Sequence, residues 1–154
     1  MDQTADTPGH LAAPRKVDQL LAHYGESHQN PRNELIHFMA IPVIMLSLVG
    51  MMFALHPYVA YAFVAASMVY YARLSWVFFV AMGLWSAGFI ALLFTMGERV
   101  LPICVALFVA AWILQFIGHH IEGKKPSFLE DIQYLWVGPL FVLSKLFGRL
   151  GIRW

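Results

Sequence analysis

The chain has 154 residues, of which 60% are hydrophobic and only 12% are charged. Soluble domains carry about a quarter charged residues, so a single water-soluble core cannot bury this much apolar surface, and the composition indicates a membrane protein. The net charge of +1 gives no basis for a nucleic-acid partner, and a lone cysteine, Cys104, excludes an intrachain disulfide.

The N-terminal part divides into a tail and a short helix. Residues 1–13 are rich in Thr, Asp, Pro, Gly and Ala, which predicts a flexible tail. Over residues 14–28, apolar side chains recur at the spacing of an amphipathic helix, at Val17, Leu20, Leu21 and Tyr24. The pattern fits a helix lying on a membrane surface as well as one on a protein surface, and both interpretations stay open.

Four apolar runs follow, separated by short polar breaks. They cover residues 35–55, 58–72, 74–97 and 100–118. The first has about 21 residues, which at about 1.5 Å per residue spans roughly the 30 Å of a bilayer core. Before it, Asn30 and Pro31 form a typical N-cap and first helical residue. We therefore predict about four transmembrane helices.

The C-terminal region has a different pattern. Residues 127–147 are amphipathic, and their apolar part is too short to span a bilayer and is interrupted by Gly138 and Pro139. This pattern favours an interfacial or re-entrant helix over the alternative of a fifth span. The predicted fold class is all-α. We expect an integral membrane helical bundle with N- and C-terminal amphipathic helices, forming a single domain over residues 14–150.

The distribution of basic residues predicts the orientation of this bundle. The N-terminal segment, the break after the second run and the C-terminal segment hold most of them, at Arg15, Lys16, Arg32, Arg73, Lys124, Lys125, Lys145, Arg149 and Arg153. Basic residues favour the cytoplasmic side, so both termini should be cytoplasmic, in a bacterial inner membrane or a eukaryotic endoplasmic reticulum. With four crossings, the first span begins and the fourth ends on that same side.

Polar side chains lie at these two helix ends. Asn33 and His37 are separated by four residues and share one face of the first span. Gln115, His119 and Glu122 share one face where the fourth span ends. An ionisable group within a span is energetically expensive and is a candidate for function. We predict that the two polar stretches meet at one end of the bundle and hold a metal ion there.

Histidine is the commonest metal-ligating side chain near neutral pH. The predicted ligands are His28, His37, His119 and Glu122. Histidine and carboxylate ligands with open positions suit non-haem Fe(II) and O₂ chemistry, although ligand type alone does not separate iron from manganese or zinc. Asn33 and Gln115 would orient these ligands. His23 and His120 lie beside the cluster on other helical faces, so their role as ligands stays open.

Two other functions fit the same residues. A membrane haem protein would use His37 and either His119 or His120 as axial ligands. A non-catalytic lipid-binding or scaffold protein would carry the histidines only as interfacial residues.

An ordered set of motifs resembles the 2-hydroxy fatty acid dioxygenases of fungi and their bacterial relatives. The motifs are Tyr24-x3-His28-x4-Asn33-x3-His37-x4-Pro42, Gln115-Phe-Ile-Gly-His119-x2-Glu122-x3-Pro126 and Gly138-Pro139-Leu-Phe. They extend over roughly residues 15–147. The resemblance implies a membrane-embedded, Fe(II)-dependent enzyme that shortens 2-hydroxy fatty acids by one carbon with O₂. This fatty acid α-oxidation serves phytosphingosine breakdown in the fungal members.

The resemblance also implies roles for individual residues. His28, His37 and His119 would be essential, and Tyr24 would support them. A 2-hydroxy acid would chelate iron through its carboxylate and hydroxyl groups, while its tail lies among the spans. The basic side chains that would hold the carboxylate are Arg32, Lys124 and Lys125. The oligomeric state is not predicted.

Overall fold

The computed structural model describes residues 13–123 and 134–154, and these residues form helices and no strand. The helices are α1 (Lys16–Gly25), α2 (Pro31–Leu55), α3 (Pro57–Leu74), α4 (Trp76–Met96), α5 (Val100–Glu122) and α6 (Val137–Leu150), with a 3₁₀ turn at Gly97–Arg99 between α4 and α5. The predicted tail lies almost wholly outside the described residues. Lys124 and Lys125 also lie outside them.

The helix boundaries follow from local capping chemistry. Asn30 caps α2, since its side-chain oxygen accepts a hydrogen bond from the Arg32 backbone N–H at 3.0 Å, and Pro31 occupies the first turn, as predicted. The next two breaks each consist of one extended residue, His56 and Ser75. A left-handed backbone at Gly97, with φ of +56°, then ends α4. Chain reversals this short favour packing between consecutive helices.

The four predicted runs lie on α2 to α5, but the helices extend beyond them. In particular, α5 continues to Glu122 rather than ending near residue 118. The added turn is helical and carries His119, so this histidine is fixed on the same rigid helix as Gln115.

Helices α2 and α5 pack against each other in opposite directions. Near one end of the pair, Gly50 of α2 lies against Cys104 of α5. Near the other end, Gly118 of α5 lies against Asn33 and His37 of α2. A Cβ atom at either glycine would overlap its neighbour. The close approach of the two helices therefore depends on small residues at both ends, as is common between membrane helices.

Helix α6 is partly inserted into the bundle. Its first half, from Val137 to Ser144, is buried against α1 and α2. Gly138 and Pro139, which were predicted to interrupt the apolar segment, lie in the first turn of α6, where a proline does not cost a backbone hydrogen bond. The helix therefore begins at the predicted interruption. Part of the predicted helix over residues 127–147 lies outside the described residues.

Two stretches have the length and apolar composition of membrane-crossing helices, Pro31–Leu55 and Trp76–Glu122. The second contains both α4 and α5. Large apolar side chains are exposed on helices α2 to α5, including Leu55, Tyr58, Leu84, Phe94, Val109 and Ile113. Apolar surface on this scale requires a nonaqueous environment or a partner. The count of four spans stays a prediction.

Candidate metal centre

Three buried histidines converge where α2 begins and α5 ends. The ring centroid of His37 lies 4.3 Å from that of His28 and 5.2 Å from that of His119. The remaining pair, His28 and His119, is separated by 6.3 Å. The two polar stretches therefore meet at one end of the bundle, as the sequence predicts.

Backbone carbonyl groups fix the protonation of two of these rings. Nδ1 of His28 donates to the Tyr24 carbonyl oxygen at 2.8 Å, and Nδ1 of His37 donates to the Asn33 carbonyl oxygen at 3.0 Å. Since a carbonyl only accepts, the proton resides on Nδ1 and each Nε2 keeps its lone pair. Metal-binding histidines in proteins are oriented in this way.

The environment of His28 favours the neutral ring that a metal requires. Burial lowers the pKa of His28, and its hydrogen bond to the Tyr24 carbonyl only partly opposes this effect. The Nε2 atom is itself buried and has no hydrogen-bond partner among the described residues. A buried, unpartnered imidazole lone pair is a donor that a metal ion would satisfy.

Tyr24 supports His28 in a second way. Its ring stacks on His28 with centroids 4.2 Å apart and planes inclined by 9°. Other neighbours of the Tyr24 ring include Tyr134 at 5.2 Å and Phe141 of α6 at 5.0 Å. The tyrosine therefore packs against both His28 and α6, and its supporting role stays a prediction.

Glu122 connects the end of α5 to the beginning of α2. Its carboxylate accepts hydrogen bonds from the backbone N–H groups of Gln29 at 2.8 Å and Asn30 at 3.0 Å, and from Asn33 Nδ2 at 2.9 Å. A negative charge at this position also stabilises the positive end of the α2 dipole. Its role as a direct metal ligand stays a prediction.

The histidine nitrogens of the cluster are donors of the kind that transition metals such as iron bind, although the described residues do not form a finished coordination site. Over residues 13–123 and 134–154, no group of three or more His, Cys, Asp or Glu side chains could hold a metal ion as it stands. The donors nevertheless have the right character, because His28 and His37 present unprotonated Nε2 atoms in a buried environment. His28, His37 and His119 are the residues that would hold iron.

A cavity of about 50 Å³ lies beside the cluster. It is lined by Tyr24, His37, Ile41, Ile44, Met45, Trp112, Gln115, His119, Tyr134, Leu135, Gly138 and Pro139. Met45 and Pro139 also line a second, smaller cavity of about 10 Å³ deeper among α2, α3 and α4. His37 and His119 thus border a partly open, mostly apolar space.

Several cavity residues were missed by the sequence analysis. Trp112 could have been found, because it precedes Gln115 by three residues and His119 by seven and therefore shares their helical face. No local sequence pattern indicates that Tyr134 and Leu135 line the cavity. They reach it only because the segment just before α6 lies beside it.

The other proposed site residues are placed apart from the histidine cluster or lie outside the described residues. His23 is exposed and its Nδ1 lies 3.3 Å from the Glu26 carboxylate, while His120 is exposed on α5. Arg32 is exposed in the first turn of α2. Of the two consecutive histidines on α5, His119 therefore belongs to the cluster and His120 lies at the surface.

The contacts of Glu122 lead to a testable prediction. Replacing Glu122 with glutamine should lower the free energy of unfolding by about 1–2 kcal/mol, because the amide nitrogen cannot accept the hydrogen bonds that the carboxylate accepts. If the carboxylate acts only through these hydrogen bonds, iron content should be unchanged. Thermal unfolding in detergent and metal analysis would measure both effects.

Glu34→Gln is a matched control, since Glu34 lies in the first turn of α2, the helix end that Glu122 contacts, but pairs with Lys145 at 3.1 Å. A folded Glu122→Gln protein without iron would contradict the structural role and identify Glu122 as a ligand.

Comparisons with known proteins agree with the motif resemblance. Residues 15–150 match the model of a family described as 2-hydroxy-palmitic acid dioxygenase Mpo1-like. A Saccharomyces cerevisiae protein named 2-hydroxy-palmitic acid dioxygenase MPO1 is 27% identical over 139 residues, which cover 85% of this chain and 79% of the yeast protein. No solved structure matches significantly. The chain therefore belongs to the 2-hydroxy-palmitic acid dioxygenase Mpo1-like family.

Proposed function

We propose that this protein is an Fe(II)-dependent dioxygenase that shortens 2-hydroxy fatty acids by one carbon with O₂. The observation that carries the proposal is the convergence of three buried histidines, two of which, His37 and His119, line a cavity. Family membership and the name of the yeast relative support the reaction class. When bound, iron would supply open coordination positions at which a 2-hydroxy acid and O₂ are brought together.

The protein's own residues would prepare this site. The carbonyl groups of Tyr24 and Asn33 hold the protons of His28 and His37 on Nδ1, so that both Nε2 atoms can bind metal. Apolar side chains around the cavity would limit water near the reacting carbons. These features support a site that binds a polar head group in a dry environment.

The cavity also suggests how the substrate lies. From His37, the α2 residues Ile41, Ile44 and Met45 follow at helical spacing and line one wall. The acyl tail would continue from the head group along this apolar wall. The carboxylate of the substrate would lie toward the beginning of α2, where the positive charge of Arg32 favours an anion.

We further propose that the protein is embedded in the membrane with four crossings and cytoplasmic termini. The apolar lengths of Pro31–Leu55 and Trp76–Glu122 support embedding. The distribution of basic residues supports the orientation. In this arrangement the histidine cluster lies near the cytoplasmic head groups, where a fatty acid would present its carboxyl end.

The test is a combined metal, spectral and activity measurement on the full chain purified in detergent. We expect about one iron per chain, as one histidine cluster implies, and no Soret band. Chelation should abolish conversion of 2-hydroxypalmitate to the acid one carbon shorter, and anaerobic Fe(II) addition should restore it. Product mass and O₂ consumption would be measured together.

Two results would contradict this function. A Soret band would indicate a haem bound by His37 and either His119 or His120. A protein that takes up no metal, even after anaerobic Fe(II) addition, would instead be a lipid-binding or scaffold protein.

A further inference from the structure

Gln115 places a buried amide in the wall of the cavity. The residue is only 7% exposed, and its Oε1 atom is buried without a hydrogen-bond partner among the described residues. It lies one helical turn before His119 on the same face of α5, and both side chains line the cavity. Leaving a buried amide oxygen unpaired costs folding free energy, so this arrangement calls for an explanation.

The side chain of Gln115 has different surroundings from that of Asn33, the other buried amide near the site. Asn33 uses its Nδ2 to bond Glu122. Its Oδ1 is also buried without a hydrogen-bond partner among the described residues, but it packs against Gly118 between α2 and α5 and does not line the cavity. Gln115 instead faces the cavity, whose wall includes Ile44 and Leu135. The sequence pattern predicts the same orienting role for both amides, but their contacts differ.

We propose that Gln115 recognises the 2-hydroxyl group of the substrate, with its Oε1 accepting the hydroxyl hydrogen bond. This inference rests on the proposed function and identifies a specificity residue within it. An unsubstituted fatty acid has no donor at carbon 2, so its binding would keep the amide oxygen unpaired. Sites built around a substrate hydroxyl reject analogues that lack it for this reason.

The experiment compares binding of 2-hydroxypalmitate and palmitate to the full chain in detergent. Measurement without O₂ prevents turnover. We expect the wild-type protein to prefer the hydroxy acid by roughly 10- to 100-fold, as expected when the competing ligand leaves one buried polar group unpaired. In Gln115→Met this preference should fall at least about 10-fold through weaker hydroxy-acid binding, with palmitate binding unchanged.

Two further measurements separate recognition from a structural role. Iron content should be unchanged in Gln115→Met, and its thermal stability should be equal to or higher than that of the wild type, because an unpaired amide has been removed. Ser47→Ala is the matched control. Its buried hydroxyl bonds the Ile44 carbonyl at 2.9 Å and does not line the cavity, so the ligand preference should be unchanged.

A full preference for the hydroxy acid in Gln115→Met would overturn the inference. Loss of iron from that variant would also overturn it, since Gln115 would then act by positioning His119. If the methionine variant does not fold, Gln115→Asn withdraws the amide by one carbon and should show the same loss of preference.

The wild-type results distinguish this inference from the proposed function. A wild type that prefers the hydroxy acid but neither binds iron nor turns over would support recognition by Gln115 and contradict the dioxygenase. A wild type without the preference would overturn recognition, whatever its activity.

Discussion

Replacing His37 with alanine is expected to remove bound iron and to lower turnover of 2-hydroxypalmitate by well over 100-fold. His37 is the central member of the cluster, since its ring is the nearer neighbour of both His28 and His119. Losing groups that merely support a ligand typically costs roughly 10- to 100-fold, and loss of the ligand itself should cost more. The measurements are iron per chain and the initial rate of O₂-dependent turnover.

This variant should still fold. Although His37 is only 2% exposed, the contacts of Gly50 with Cys104 at the far end of the α2–α5 pair are unaffected. Circular dichroism should therefore report unchanged helix content. A folded His37→Ala protein that retains iron and activity would exclude His37 from the site.

Adjacent histidines on α5 provide a matched pair for the same experiment. His119 is buried within the cluster, whereas His120 is exposed. We expect His119→Ala to lose iron and turnover, as His37→Ala does, and His120→Ala to retain both. Equal losses in the two variants would show that the measured effect is not specific to the cluster.

Replacing Gly118 with alanine should damage the fold and the metal site together. An added Cβ atom would overlap Asn33 Oδ1 and lie 3.3 Å from His37 Cε1. Separation of α2 and α5 would weaken the Asn33–Glu122 hydrogen bond and move His37 relative to His119. Overpacking of this kind costs about 1–3 kcal/mol, so thermal unfolding should occur at lower temperature and iron content should fall.

Gly88→Ala is the control for this change. Gly88 lies within α4, and an added Cβ atom there meets nothing within 4 Å. Alanine is favoured over glycine in a helix by up to about 1 kcal/mol, so this variant should be as stable as the wild type or more stable. If Gly118→Ala is as stable as Gly88→Ala and keeps its iron, α2 and α5 do not approach each other closely at Gly118.

The family and much of the site could be predicted from the sequence because they depend on local spacing. Asn30 and Pro31 begin α2 as their capping chemistry requires. The four-residue separation of Asn33 and His37 fixes their common face whatever packs against it. The motif order was sufficient to suggest the family that the comparison confirms.

Only the tertiary structure decided which neighbour each polar side chain contacts. Gln115 and Glu122 share a face of α5, yet one lines the cavity and the other bonds the beginning of α2. Their different roles depend on how closely α2 approaches α5, which Gly118 permits.

The insertion of α6 was likewise beyond local sequence information. It brings Gly138 against Ile41 and the Tyr24 hydroxyl group. Helical periodicity determines which residues share one helix face, so the sequence by itself determined the polar faces of α2 and α5. The partners of those faces belong to segments distant in the chain, and only three-dimensional packing brings them together.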